Sequence, residues 1–373
     1  MEDSCGLCSC GAAPTDEADR PIDLAPPLPG DATRPPPIPS EPLEARVARA
    51  LDAGVPESHA AGVGALAVEL APDIEHGEGA VGAQAKGLSD PLTLLRFLNA
   101  RDGDLEQAAA MFRDTAKWRA ETIDGVLAEF GQFVDTAEGD ADADAWTWRA
   151  APSTRRATLG LAHGFASVLD APAPECELQP AGAAVAVWRI SAADWNGIAR
   201  EELDEAVKRG FIAHLECLLQ RGRRASVRHG RLVRARLIID VDGVGIGLLR
   251  HIGLLKQVTS MGKAYFPEVS ASASVVNAPW LFTKIWAVVK PLLTPVQQRK
   301  VMILGRDFDE GLLEHAGLPR AALPAALGGE TSDDQLAPAE PVPVGAGEAL
   351  RSASAARAEQ AEARDPEASD DGQ

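Results

Sequence analysis

The chain has 373 residues, which is enough for one large domain or two. Its formal net charge of −19 comes from its ends, because residues 1–90 carry 16 acidic and 5 basic side chains and residues 331–373 carry 10 and 3. Residues 91–330 carry 29 acidic and 28 basic side chains, so the acidic total does not exclude anionic phospholipids as partners of this middle part.

The two ends, residues 1–87 and 331–373, are predicted to be mostly disordered. They are rich in Pro, Ala, Gly and acidic residues and contain too few large apolar side chains to offset the entropy of ordering. The exception within the first of these ends is one possible helix over residues 41–53. Met1 is followed by acidic residues and no run of about 18 apolar residues occurs, so we expect no secretory signal, no membrane span and a cytoplasmic location.

Three of the five cysteines, Cys5, Cys8 and Cys10, lie in the first ten residues. Their spacing suits a soft metal ion or acylation, but no fourth ligand lies nearby. We favour a tail without specific chemistry, with reversible acylation as the alternative, and we expect no metal site.

A small helical lobe is predicted over residues 88–125. Ser89-Asp90-Pro91 supplies a capping side chain followed by proline at the first helical position, and it begins a helix that runs through Leu92 to Arg101. A capping box at Asp104 predicts a second helix that continues to Arg119.

Strands and helices alternate from residue 183 onwards, within a second domain predicted over residues 126–330. Strands separated by helices imply an α/β fold with a mainly parallel sheet covered by helices. The predicted strands are 183–190, 235–241, 272–276 and 300–304, and the predicted helices are 201–220, 248–261 and 280–293.

The helix predicted from Trp280 to Leu293 is apolar on every side, and only Thr283, Lys284 and Lys290 interrupt it. It is too short to span a bilayer, which needs about 20 residues. Such a helix is either a buried core helix or one that contacts an apolar partner outside its own protein.

The glycine-rich motifs that would indicate an enzyme are incomplete. Gly243, Gly245 and Gly247 follow a strand, but the third glycine of a dinucleotide-binding fingerprint is missing. Gly262-Lys263 is followed by Ala264, which does not complete a phosphate loop. We therefore expect no catalytic residues and no enzyme activity. An α/β enzyme that uses the Gly243 turn is the least favoured alternative.

A dense arginine cluster lies between a predicted helix and the next predicted strand. It lacks the interleaved aromatic residues that stack on bases, so we expect no nucleic-acid partner. The cluster is either a solvated surface loop or a membrane patch, in which each cation contributes on the order of 1 kcal/mol near anionic lipid. The membrane patch would comprise Arg223, Arg224 and Arg228.

Six segments between about residues 88 and 330 follow one another in a distinctive order. They are Leu94 to Arg101 with Ala108 to Arg119, Leu237 to Gly243, Tyr265-Phe266-Pro267-Glu268, Asn277-Ala278-Pro279-Trp280-Leu281-Phe282, Lys290-Pro291, and Leu323-Pro324 before Gly328-Gly329. In this order and rough spacing they resemble the CRAL-TRIO lipid-binding family, whose best known members are phosphatidylinositol and phosphatidylcholine transfer proteins.

The resemblance implies a mixed sheet that forms the floor of an apolar lipid cavity, closed by a gate helix at 280–293. One face of such a helix lines the cavity while another can meet the bilayer, so neither face needs to be polar. The residues expected in the cavity and gate are Trp188, Ile190, Ile239, Val276, Phe282, Ile285, Trp286 and Val289.

The family's Lys-Pro motif implies that Lys290 contacts the phosphate of a lipid headgroup. A lysine at the end of an apolar helix can hold its ammonium beside a phosphate while its stem stays buried. The alternative is an ordinary surface lysine before proline. Arg96 and Arg101 are secondary candidates for headgroup or lobe-closing contacts.

Three positions depart from the pattern of the choline-lipid binders in the family. Ala235, Arg236 and Leu237 stand where those proteins place small hydroxyl residues. Phosphatidylinositol is therefore the favoured ligand over phosphatidylcholine, and a sterol-like or isoprenoid ligand remains open.

The function implied by the resemblance is lipid binding and lipid transfer, with phosphatidylinositol carried between membranes or presented to a lipid kinase. The alternative is a lipid-sensing or protein-interaction module of the same fold that does not transfer lipid. The expected protein is a cytoplasmic monomer in transient peripheral contact with membrane lipids, and it needs no cofactor other than its bound phospholipid.

Overall fold

A computed structural model describes residues 42–130, 132–135, 146–149, 166–169, 183–334, 336, 341–352 and 355 of the chain. The amino-terminal part is helical. Its helices are α1 (Leu43–Asp52), α2 (Glu57–Glu69), α3 (Ala71–Glu75), α4 (Gly79–Gly87), α5 (Pro91–Ala100) and α6 (Leu105–Phe130).

Residues 43–87 fold into the lobe, so the prediction that they belong to a disordered tail is wrong. The small residues Ala50, Ala60 and Ala67 are buried in a shared apolar cluster with larger side chains of α2, α3, α5 and α6. These helices pack through close approach of their backbones and need few large side chains. A Cβ added at Gly64 would lie 2.6 Å from a methyl carbon of Val47. The helix expected over 41–53 is present as α1.

The capping signals that were read from the sequence mark real helix starts. Asp90 accepts a hydrogen bond of 2.9 Å from the backbone N–H of Thr93 at the start of α5. Asp104 accepts one of 2.9 Å from Gln107 at the start of α6. The helix predicted from Asp104 to Arg119 is present as α6 and is longer than predicted, since α6 continues to Phe130.

Five strands form one sheet in the second domain. They are β3 (Ala166–Val168), β4 (Val185–Arg189), β5 (Ala235–Asp240), β6 (Ser270–Val276) and β7 (Val301–Ile303), in that spatial order. β3 is antiparallel to β4, and the remaining pairs are parallel. The predicted α/β fold with a mixed, mainly parallel sheet is therefore confirmed. A separate antiparallel pair comprises β1 (Gln132–Asp135) and β2 (Trp146–Arg149).

Helices connect and cover the strands of this sheet. They are α7 (Trp195–Arg200), α8 (Asp204–His229), α9 (Ile252–Tyr265), α10 (Phe282–Val289), α11 (Pro295–Arg299) and α12 (Asp309–Ala316). α8 is longer than predicted and ends at Gly230, whose φ of +55° lies in the left-handed region that favours glycine. The arginine cluster therefore begins on the last turns of a helix and is not simply a loop. Within the described ranges, no helix combines the length and apolarity needed to cross a bilayer.

The sheet has two buried faces that serve different cores. Side chains alternate between the faces, so Leu237 and Val275 pack with α8, α9 and α10. Ile238 and Val276 point the other way and pack against Leu312 of α12. Among the described residues, a cavity borders the first of these faces.

Residues 341–352 pack against the second domain, which corrects their assignment to a disordered tail. Val342 is buried, and its N–H donates to a carboxylate oxygen of Asp194 over 3.0 Å. The N–H of Gly345 donates to Glu201 over 3.0 Å. Two carboxylates and one apolar anchor thus hold a segment whose acidic composition alone favoured disorder.

A buried ion pair joins the lobe to the second domain. Both Nη atoms of Arg119 in α6 donate to the two carboxylate oxygens of Glu216 in α8, over 2.7 and 2.8 Å. Burial by itself would raise the pKa of Glu216, but Arg119 holds that pKa below its ordinary value. Trp118 also stacks on Tyr265 of α9 with ring centroids 4.4 Å apart.

We predict that Glu216→Gln lowers the free energy of unfolding by about 3–5 kcal/mol, because it leaves the Arg119 charge buried without its partner. Urea denaturation of the full chain measures this change. Glu205→Gln is the matched control: Glu205 pairs with Lys208 but is largely exposed, so its loss costs no more than about 1 kcal/mol. Equal losses in the two variants would contradict a structural role for the buried pair.

Candidate functional site

A cavity of about 290 Å³ lies between one face of the sheet and the helices α8, α9 and α10. This volume is at the lower end of small-molecule pockets, which span about 300–1,000 Å³. Its lining is predominantly apolar and draws on strands β4 to β7. Representative apolar lining residues are Phe211, Leu237, Leu254, Phe266, Val275 and Ile285.

Seven of the eight side chains expected in the cavity and gate do lie in the lining. They are Trp188, Ile190, Ile239, Phe282, Ile285, Trp286 and Val289. Val276 does not, and its assignment is corrected: it follows Val275 by one residue and therefore faces the opposite side of the sheet. A role of the seven toward lipid stays a prediction.

The helix α10 is apolar on its inner face and mixed on its outer face. Phe282 and Ile285 are buried and line the cavity, whereas the exposed residues are Thr283, Lys284, Ala287 and Val288. Trp280, just before the helix, is 81% exposed. The exposed indole of Trp280, together with Ala287 and Val288, gives this surface apolar groups that suit an apolar environment, beside the polar Thr283 and Lys284.

One end of the cavity is charged. It lies where β6 and β7 begin, and its polar lining comes from α5, α9, α11 and these strands. The lining residues at this end are Arg101, Lys263, Glu268, Ser270, Thr294, Gln297 and Lys300. Gln297 and Thr294 also form the capping box that starts α11.

Glu268 is the centre of the charged end. One carboxylate oxygen accepts from the ammonium of Lys300, and the other accepts from the guanidinium of Arg234. Burial alone would raise the pKa of Glu268, but these two cations hold it below its ordinary value. Burial is also the main reason why the pKa of Lys300 is lowered, with Glu268 opposing that shift. Two cations thus share one carboxylate, which leaves a surplus of positive charge.

The backbone of Glu268 is itself unusual. Its φ of +53° places a non-glycine residue in the left-handed region, which is costly unless the surroundings fix it. The surroundings do so, because Nη1 of Arg96 donates to the carbonyl oxygen of Glu268 over 2.7 Å. The side chain and the main chain of Glu268 are therefore both held by cations.

Arg96 lies outside the cavity lining, and of its two predicted roles, headgroup contact and lobe closing, its contacts are of the second kind. Its guanidinium is almost fully buried, and Nη2 donates to the carbonyl of Val233 over 2.6 Å and to Ser226 over 3.2 Å. Burial lowers the pKa of Arg96 to about 9, so the group still carries its charge at neutral pH. Its geometry suits a tie between the lobe and the sheet.

Lys290 is exposed at the end of α10 and lies outside the cavity lining, so its contact with a headgroup stays a prediction. Lys300, ten residues further along, occupies the charged end instead. The sequence did contain a signal for it, because an acidic residue in the Tyr-Phe-Pro-Glu segment requires a buried counter-charge once its strand is covered. Of the three predicted headgroup residues, Arg101 alone lies in the lining.

The proposed membrane patch is not a single exposed surface. Arg223 donates to Asp90 and to the carbonyl of Gly87, each over 2.8 Å, and so binds the lobe. Arg224 is half-buried, and Arg228 is exposed. The helix α8 continues through this segment, and Arg223 joins it to the start of α5, so a membrane role of Arg224 and Arg228 stays a prediction.

The Gly243 turn has a structural explanation. A carboxylate oxygen of Asp240 accepts from the N–H of Asp242 over 3.0 Å and from the Asn277 side chain over 2.9 Å. These contacts fasten the end of β5 to the end of β6, and Gly243 supplies a φ of +71°. Among the described residues no cluster of potential metal ligands occurs, and Cys5, Cys8 and Cys10 lie outside them.

We predict that Glu268→Gln flattens the acid dependence of stability. The folded-state pKa of Glu268 lies below its ordinary value of 4.5, so its contribution is complete above that pH and is lost as the pH falls through the lowered folded value. Urea midpoints measured at several pH values below 5.5 test this expectation. Glu205→Gln, an exposed control, should keep the wild-type slope. An unchanged slope in Glu268→Gln would contradict the assignment.

Comparison with known proteins places the second domain in a family. Residues 183–329 match the CRAL/TRIO domain family. The Sec14 cytosolic factor of Schizosaccharomyces pombe is 28% identical over 244 residues, which cover 64% of this chain and 74% of that protein. The SEC14 cytosolic factor of Yarrowia lipolytica is 26% identical over 247 residues, or 65% of this chain and 44% of that protein.

Two further comparisons give similar coverage of this chain. The phosphatidylinositol/phosphatidylcholine transfer protein SFH11 of Arabidopsis thaliana is 25% identical over 244 residues, which cover 64% of this chain and 57% of that protein. The crystal structure of Sfh5 aligns with 73% of this chain and 83% of its own at 11% identity and a TM-score of 0.40. The latter likeness is too low to support an argument.

Proposed function

We propose that this chain, whose residues 183–329 are a CRAL/TRIO domain, binds one phospholipid in its cavity and exchanges it with membranes. Phosphatidylinositol is the favoured ligand. The observation that carries the proposal is a predominantly apolar cavity with a single charged end of surplus positive charge. Burial of acyl chains in such a lining contributes about 25 cal/mol per Å² of apolar surface.

The charged end supplies the groups that an inositol phosphate would need. Arg101, Lys263 and Lys300 are cations in the lining, and their charges favour a phosphate. Gln297 and Thr294 add neutral polar groups that suit the hydroxyls of the inositol ring. Choline carries a positive charge and lacks hydroxyls, so this end is less suited to phosphatidylcholine.

The gate proposed for lipid entry is α10. Its inner face closes the cavity through Phe282 and Ile285, and its outer face exposes Ala287 and Val288 beside Thr283 and Lys284. When the outer face enters a membrane, the inner face can follow without exposing polar groups. Trp280 is the natural anchor, because an amphipathic indole is stable at the depth of the headgroups. The proposal includes peripheral membrane contact, presentation of lipid to a lipid kinase and no catalytic step.

The names of two relatives bear on the proposal of lipid binding. The Arabidopsis thaliana relative is described as a phosphatidylinositol/phosphatidylcholine transfer protein, and the Schizosaccharomyces pombe relative as a cytosolic factor. At 25% identity the first of these names supports lipid binding in general. The choice of phosphatidylinositol depends on the residues at the charged end.

We predict that Lys300→Ala reduces phosphatidylinositol binding by roughly tenfold or more, because a charge-assisted hydrogen bond contributes about 1.5–3 kcal/mol. Lys290→Ala, a matched change ten residues away and outside the lining, should alter binding by less than about twofold. Titration with phosphatidylinositol vesicles measures both variants. Arg101→Ala is a second variant at the same end that leaves Glu268 paired. Loss of binding in Lys290→Ala alone would restore the earlier headgroup assignment.

We predict that Trp280→Ala slows transfer of phosphatidylinositol between vesicles several-fold and leaves the bound amount at equilibrium unchanged. The reason is that Trp280 lies outside the cavity yet contributes its indole to the membrane interface. Leu313→Ala is the matched control, since Leu313 is 53% exposed on α12 behind the sheet. Equal transfer by all three proteins would contradict the role of α10 in membrane contact.

A further inference from the structure

The cavity has an aromatic wall at a distance from its charged end. Trp188 of β4 is half-buried and lines the cavity, and Phe211 of α8 meets it edge to face with ring centroids 5.1 Å apart. Nε1 of Trp188 donates a hydrogen bond of 2.9 Å to Nε2 of His214, one turn further along α8. This bond requires His214 to accept at Nε2, which is the neutral form of the ring.

The hydrogen bond to His214 fixes the indole in place. His214 is only 4% exposed, so its ring has little access to solvent. A swing of Trp188 away from α8 would therefore break a hydrogen bond to a buried side chain. Phe211 blocks the same movement by packing against both rings. The wall is consequently rigid, whereas an unpinned side chain would adapt to a ligand.

The position of the wall corresponds to the acyl region of a bound lipid. Trp188 lies beside Ile239 in the sheet register, while Ala235 lies beside Ser270 at the charged end. Four residues separate Ala235 from Ile239, which corresponds to about 13 Å along an extended strand. A ligand whose headgroup occupies the charged end would thus pass the wall with its hydrocarbon part.

We propose that Trp188, pinned by His214, determines ligand specificity by keeping the cavity too narrow for rigid fused-ring lipids while it admits flexible acyl chains. This inference rests on the proposed lipid-binding function. A chain with freely rotating bonds can follow a narrow passage, but a sterol nucleus requires the surrounding side chains to move. Close-packed interiors resist such movement.

The test is a competition for loading of the full chain. The protein is incubated with vesicles that contain phosphatidylinositol and cholesterol, is separated from them, and the two lipids bound per chain are measured by mass spectrometry. Wild type should load phosphatidylinositol with at least tenfold less cholesterol. Trp188→Ala should raise the ratio of cholesterol to phosphatidylinositol by tenfold or more. The ratio of bound cholesterol to bound phosphatidylinositol is the readout, because a variant that is only misfolded would bind less of both lipids.

Companion variants keep the test informative if Trp188→Ala folds poorly. Trp188→Leu retains an apolar side chain but removes the wall, so it should shift the ratio in the same direction. His214→Phe keeps the indole and removes only its acceptor, and it should raise the ratio several-fold. Leu313→Ala, on the opposite side of the sheet, should match wild type.

The outcomes separate this inference from the proposed function. If wild type loads phosphatidylinositol and the ratio is unchanged in the Trp188 variants, the specificity role is overturned while lipid binding stands. If wild type loads cholesterol as readily as phosphatidylinositol, the specificity role of Trp188 is likewise contradicted. A wild-type protein that loads neither lipid contradicts the proposed function and this inference with it.

Discussion

Glu268 and the three cations around it are the interaction on which the rest of the molecule depends. Arg234 and Lys300 bind its carboxylate, and Arg96 binds its carbonyl oxygen. These four residues come from the lobe and from the starts of β5, β6 and β7, so a single buried carboxylate fixes the position of four chain segments. Its left-handed backbone adds a strain that only this network makes tolerable.

The same network sets the chemistry of the cavity. Its cations outnumber its carboxylate, and they lie at the end of a lining that is otherwise predominantly apolar. A neutral apolar ligand would leave this surplus charge without a counter-ion, whereas a lipid with an anionic headgroup satisfies both ends at once. The buried charged residues of this network therefore determine both the stability of the fold and the kind of ligand that the cavity can bind. The wall formed by Trp188 acts separately, because it borders the hydrocarbon region.

The sequence predicted the elements that depend on strong local signals. Alternation of apolar strands with helices located β4 to β7, and side-chain caps located the starts of α5 and α6. The lobe helices α2 to α4 were missed because their core uses alanine and glycine, which pack by close backbone approach and give a weak hydrophobic pattern. Val276 was placed in the cavity because its neighbours are apolar, although the alternation of side chains in a strand assigns Val275 to that face. Lys290 was preferred to Lys300 because the acidic Glu268 predicts that a buried counter-charge exists but does not show which lysine supplies it.

The central claim is that the cavity holds a phospholipid whose headgroup lies at the Glu268 network. Native mass spectrometry of the full-length chain tests it most directly, followed by solvent extraction and identification of the bound molecule. The account predicts one phospholipid per chain with an anionic headgroup, phosphatidylinositol above others. A chain that is isolated empty and takes up no lipid from phosphatidylinositol vesicles would contradict it and would favour an interaction module of the same fold.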